Sequence, residues 1–116
     1  MTNKKFVEIL IENIYENDKK MYRELFKNKE YSEKFQYILN KLNEEDRNEI
    51  FSMIDLVIQN TISATLSIID QWGGGYFNDG KDNDGHFELY YVSNEKGKYK
   101  YRVDEDSTDI FLSKIE

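Results

Sequence analysis

The chain contains no cysteine and no proline, and it has a single histidine and a single tryptophan. Without cysteine there is no disulfide, no thiolate nucleophile, no iron–sulfur cluster and no cysteine-based zinc site. One histidine cannot build a His-rich metal site, and no second one exists to share acid–base work. Glycine is absent before Trp72, and five of the six glycines fall in the stretch WGGGYFNDGKDNDGHFEL that starts there. No repeat and no low-complexity run interrupts the chain. Long apolar runs are missing too: FVEILIENIYE near the start is broken by charges, so no signal-peptide core is visible. The stretch IFSMIDLVIQNTISATLSII carries Asp55, Gln59 and Asn60, and it reads as a buried soluble helix rather than a membrane span.

What remains suits one domain, residues 1–116, large enough to fold without a metal or a disulfide. The formal charge is −7. Residues 1–71 hold 10 basic and 13 acidic side chains and residues 72–116 hold 6 and 10, so the excess is −3 and −4. A negative field repels nucleic-acid phosphates and attracts basic partners. The expected setting is cytoplasmic, with neither nucleic acid nor membrane as partner.

Periodicity divides the chain at Trp72. Phe6, Val7, Leu10, Ile11 and Ile14 follow helical spacing, which predicts a helix from Thr2 or Asn3 to Glu16. Thr2 or Asn3 can cap it. ENDKK breaks or bends it, and Asp18 can cap a second helix over Lys19–Asn28, with Met21, Tyr22, Leu25 and Phe26 inward. These two are one if Asp18 lies inside a longer helix. A third helix runs from about Ser32, its cap, to Leu42, with Phe35, Ile38, Leu39 and Leu42 inward. NEED then marks the clearest boundary. Asn43 caps, and Glu44, Glu45 and Asp46 put negative charge in the first turn, where the helix dipole favours it. A long central helix over about 44–70 follows, apolar round most of its circumference. Ser52, Asp55, Gln59, Ser63 and Asp70 form one thin polar stripe, so packing on several sides is expected. Gly73 to Gly75 end the helix.

After the glycines, HFELYYV and KYKYRV alternate and predict a hairpin with one aromatic and one charged face, turning through SNEKG. Glu88 can pair across it with Lys100 or Arg102. Tyr76 and Phe77 are candidates for a third strand. Tyr91, Tyr99 and Tyr101 are expected in the core, packed on the helices. DSTDIFLSKIE closes the chain as a short helix or a strand. The fold class is therefore α+β: a helical half over 1–71, then a glycine-rich joint and a small antiparallel sheet of two or three strands over 72–116.

The acidic loop invites a calcium reading. With Gly85 at position 6 of an EF-hand loop, position 1 is Gly80 and position 12 is Tyr91, and neither supplies the required oxygen. Asp79, Asp82 and Asp84 retain only a weak hydrated cation site as an alternative, against a solvated turn. His86 has Asp84 and Glu88 nearby but no partner nucleophile, and no serine stands in a G-x-S-x-G context. WGGGYF follows a helix, so it is no phosphate-binding loop. Paired carboxylates carry no signal among 23 acids. No catalytic residue, no metal ligand and no cofactor is assigned, and no enzymatic activity is expected. Asp55, if covered, requires a Lys, Arg or Tyr partner. Asp70 opposes the dipole of its own helix, which a nearby cation or an N–H from the glycine turn would offset.

The remaining signal is aromatic. Trp72, Tyr76 and Tyr90, with Asp79, Asp82, Asp84 and Glu88 around them, suit a surface for a basic protein partner. In size, acidity, absence of cysteine and α+β pattern the chain resembles bacterial immunity proteins, which neutralise toxins of interbacterial competition. The resemblance is one of general character over the whole length. It implies an inhibitor of a basic toxin domain and carries over no individual residue. A phage-encoded inhibitor has the same character. The alternatives are a metal- or small-ligand-binding module using residues 79–86, and a structural or regulatory subunit, monomer or homodimer.

Overall fold

Thr2 starts the first helix as its composition suggests: its hydroxyl accepts from the Lys5 backbone N–H at 3.0 Å. The structure, a computed structural model, describes residues 1–27, 33–70, 87–95 and 99–116. In these residues the order is α1 (Asn3–Leu10), a π-helical turn (Ile11–Tyr15), α2 (Glu16–Lys27), α3 (Glu33–Leu39), α4 (Glu44–Ile69), β1 (Tyr90–Val92), β2 (Lys100–Arg102) and α5 (Ser107–Ile115). The architecture is α+β, and the closing segment is a helix rather than a strand.

Two helix boundaries differ from expectation. The chain stays helical from Asn3 to Lys27, so Asp18 caps nothing and lies inside the longer run. The wider π turn takes up an extra residue and shifts the phase of the apolar positions, which lets the helix continue through ENDKK. Leu42 lies beyond α3, in a turn closed by its N–H on Leu39 O at 3.1 Å. Ser32 and the third-strand candidates Tyr76 and Phe77 lie outside the described residues. Asn43 caps α4 as expected, its Oδ1 accepting from the Asp46 N–H at 2.7 Å.

By contact the chain forms two compact units, Glu12–Asn60 and the pair of segments Met1–Ile11 and Thr61–Glu116. In the two-segment unit the buried apolar side chains are Val7, Ile62, Leu66, Val103 and Phe111. Phe111 and Val7 are fully buried where α5 meets α1. Removing the Phe111 ring costs about 3–5 kcal/mol, because transfer and cavity terms add. Lys114 Nζ to Glu8 Oε1 at 3.2 Å and the Asn3 amide on Glu105 O tie the same two regions at the surface.

In the Glu12–Asn60 unit Tyr15, Leu39 and Ile58 are buried. Arg23 of α2 forks onto Asp55 of α4, Nη1 to Oδ1 at 2.9 Å and Nη2 to Oδ2 at 2.7 Å. Its guanidinium also lies 5.4 Å from the centre of the Phe51 ring. Asp55 thus has the cationic partner that its place on a covered polar stripe required.

The expected all-round packing of α4 is not observed. Its buried apolar residues are Ile58, Ile62 and Leu66, four apart, so one narrow stripe faces inward. Met53, Leu56 and Val57 are more than half exposed. The inward stripe adjoins Asp55, which Arg23 binds. Much of the apolar arc of α4 faces outward. Met21 of α2 and Phe35 and Ile38 of α3, also expected inside, are exposed. Among the described residues α4 alone is long and apolar enough to cross a membrane by length and composition. The ion pair at Asp55, mid-helix, and the charged surface give the chain the character of a small soluble domain.

Candidate functional site

The hairpin is built from local alternation. β1 and β2 pair antiparallel with Tyr90 opposite Arg102, Tyr91 opposite Tyr101 and Val92 opposite Lys100. Val103 N–H to Leu89 O at 3.0 Å extends the ladder at its base, and Ser93 N–H to Tyr99 O at 2.8 Å extends it toward the turn. Side chains alternate between faces, so Leu89, Tyr91, Tyr99, Tyr101 and Val103 share one face, while Glu88, Tyr90, Val92, Lys100 and Arg102 share the other.

The aromatic face divides along its length. At the base Val103 is buried and Leu89 half-buried. Further out Tyr91, Tyr101 and Tyr99 are exposed, Tyr99 by 60%. The expectation that these tyrosines form core is therefore corrected. Only the base of the hairpin is held in the fold, and the three phenols reach water, where an amphipathic ring is tolerated better than an aliphatic chain. The rings of Tyr91 and Tyr101 lie 6.4 Å apart, tilted by 42°. Phe87 is exposed as well, and so, on the opposite face, is Val92.

The charged face is a small network. Arg102 Nη1 lies 3.8 Å from Glu88 Oε1, the cross-strand pair that alternation implied. The same guanidinium binds Asp104, Nε to Oδ1 at 2.8 Å and Nη2 to Oδ2 at 3.4 Å. Asp104 is buried, and Arg102 supplies the charge partner that burial demands. The Asp104 hydrogen bond is the main cause that lifts the Arg102 pKa further. The Tyr90 hydroxyl donates to Glu88 Oε2 at 3.3 Å. Its pKa is raised above the ordinary phenol value, first by the negative charge of Glu88.

Of the residues assigned to a partner surface, Glu88 and Tyr90 stand together on this charged face. Trp72, Tyr76, Asp79, Asp82 and Asp84 lie outside the described residues, as do the 79–86 loop and His86. Sequence reasoning missed Tyr91, Tyr99 and Tyr101 as surface residues, since alternation assigns them a common face but not what covers it. Among the described residues no three His, Cys, Asp or Glu side chains are placed to hold a metal ion. The arrangement can do what rigid aromatic side chains beside ordered charges do, which is to bind another surface. Comparison with known protein families, with curated proteins and with solved structures finds no match.

Proposed function

We propose that the chain is a small acidic binding protein without enzymatic activity, an inhibitor or immunity protein that occludes a basic protein such as a toxin domain. The observation that carries this reading is the open tyrosine face of the hairpin. Three exposed phenols on a two-stranded ladder expose apolar area that the chain itself leaves uncovered. Tyrosine is enriched where partners are gripped, because a stiff ring buries much area at little entropic loss. The charge of −7 supplies the long-range part, speeding encounter with a cationic partner. Trp72, Tyr76, Asp79, Asp82 and Asp84 belong to the proposed surface by sequence. The place of action is the cytoplasm of a bacterium or of a phage-infected cell, with neither nucleic acid nor membrane as partner.

The test is co-expression with a basic toxin domain encoded beside the gene for this chain, followed by titration calorimetry on the purified pair. The reading expects protection and a complex. It also expects the double substitution Tyr91→Ala with Tyr101→Ala to weaken that complex by about tenfold or more. A neighbouring toxin that remains active and unbound at micromolar concentrations would overturn the reading.

A further inference from the structure

Within the Glu12–Asn60 unit, Tyr22 of α2 and Ile50, Met53, Ile54, Val57 and Ile58 of α4 line an open groove of about 380 Å³. Apart from the Tyr22 hydroxyl, every lining side chain is apolar. Met53 and Val57 are 59% and 60% exposed, although a methionine and a valine gain by leaving water. Positions 50, 53, 54 and 57 recur at intervals of three and four. That is one continuous helix face, and it is the spacing on which a second helix can lie.

The face carries charge at one end only. Asp46 and Glu49 stand one turn N-terminal to Ile50 and Met53 on the same side of α4, whereas Glu45 is exposed further round, toward Ser52. Among the described residues none of these three acids is in an ion pair. From Glu44 to Ile69 the only basic residue is Arg47, whose Nε donates to Leu39 O at 2.8 Å. A second copy laid α4 against α4 therefore brings acids and no uncommitted cation. Charge complementarity selects a different occupant.

We infer that this groove binds an amphipathic helix of a partner protein, apolar along one face and carrying Lys or Arg at the end that meets the first turns of α4. The helix lies antiparallel to α4. Its C-terminal turns, where basic residues are favoured by its own dipole, then stand over Asp46 and Glu49. Its apolar face covers Met53 and Val57. The groove shares no residue with the tyrosine face, and the inference holds whether or not the hairpin binds a toxin.

The probe is a synthetic helix of about 18 residues with leucines at three-four spacing and lysines in its last two turns, titrated into the full chain by calorimetry and by backbone NMR. Saturable binding is expected, with shifts confined to Tyr22 and residues 45–58. The substitution Met53→Glu with Val57→Glu is expected to weaken binding at least tenfold. It adds two negative charges, so attraction of the lysines alone would strengthen binding instead. The milder pair Met53→Ser with Val57→Ser reads the same contact if the glutamates disturb folding. Asp46→Asn with Glu49→Gln is expected to weaken binding about threefold to tenfold and to flatten its salt dependence. A peptide with glutamates in place of lysines is expected not to bind. Three results overturn the inference: no binding of the lysine peptide, equal binding by the Met53 and Val57 variants, or light scattering that shows a dimer dispersed by those variants, which would assign the groove to a second copy.

Discussion

Asp70 accepts two hydrogen bonds from Thr108, one from the backbone N–H at 2.7 Å and one from the hydroxyl at 2.8 Å, across 38 residues of sequence. Thr108 is the second residue of α5. The residue in the N-cap position, Asp106, makes no side-chain capping bond. Asp70 thus caps a helix to which it does not belong. The carboxylate sits badly for α4, whose C-terminal end it adjoins, and well for α5, whose N-terminal end it meets. The donor that Asp70 needed comes from the far end of the chain.

Asp70→Ala is accordingly expected to cost about 2 kcal/mol, the loss of a cap and of a bonded charge together. Asp70→Asn keeps an acceptor and costs about half as much. Urea unfolding measures both, and hydrogen exchange at Ile110–Leu112 should quicken in step. Unchanged stability in Asp70→Ala would mean that α5 finds its cap elsewhere.

Asp106 has φ 55° and ψ 22°, the only positive φ outside glycine among the described residues. Aspartate tolerates this left-handed region and a β-branched residue does not. Asp106→Val is expected to destabilise by about 1–2 kcal/mol and Asp106→Gly to change stability by less than about 1 kcal/mol. Thermal melts of the two variants separate backbone strain from loss of charge. Equal effects would assign the cost to the carboxylate.

Arg23 and Asp55 form a forked pair that is partly open to solvent, with side chains 39% and 23% exposed. Screening keeps its worth modest. A double-mutant cycle with Arg23→Met and Asp55→Ala is expected to give about 1 kcal/mol of coupling, reduced at high salt. Single loss of Arg23 should cost more than loss of both, since it leaves Asp55 unpaired on the inward side of α4. Additive single effects would show that the pair contributes no coupling.

Tyr90 provides the pH-dependent prediction. Glu88 raises the phenol's pKa above its ordinary value of 10.0, because a second negative charge beside it is unfavourable. A raised folded pKa means that the fold favours the protonated phenol. That contribution is complete below pH 10 and fades as pH rises through the folded value. Glu88→Gln should lower the Tyr90 pKa toward 10, read from the ring ¹³Cζ shift of Tyr90 alone. A Tyr90 titration that Glu88→Gln leaves unmoved would remove Glu88 as the cause.

The sequence alone determined what depends on neighbours along the chain. Thr2 and Asn43 are caps because their side chains reach an N–H three residues on, and no distant partner is needed. The alternation of HFELYYV and KYKYRV set which residues share a face and offered Lys100 or Arg102 to Glu88, between which the register chose Arg102. The sequence also asked for a Lys, Arg or Tyr partner for Asp55 if covered, which Arg23 meets, and for a cation or a glycine-turn N–H for Asp70, where Thr108 answers instead.

Tertiary structure alone decided who answers, and which way the surfaces turn. Burial of apolar area is non-directional, so a helix that is apolar round most of its circumference does not specify its inward side. Which side is covered depends on partners distant in sequence: Arg23 meets Asp55 in one unit, and Thr108 meets Asp70 in the other. Ile58, Ile62 and Leu66 are buried, while Met53 and Val57 face water. The tyrosines of the hairpin follow the same logic. Their common face is a property of the strand, but its exposure depends on how far the packed base at Leu89 and Val103 reaches along it.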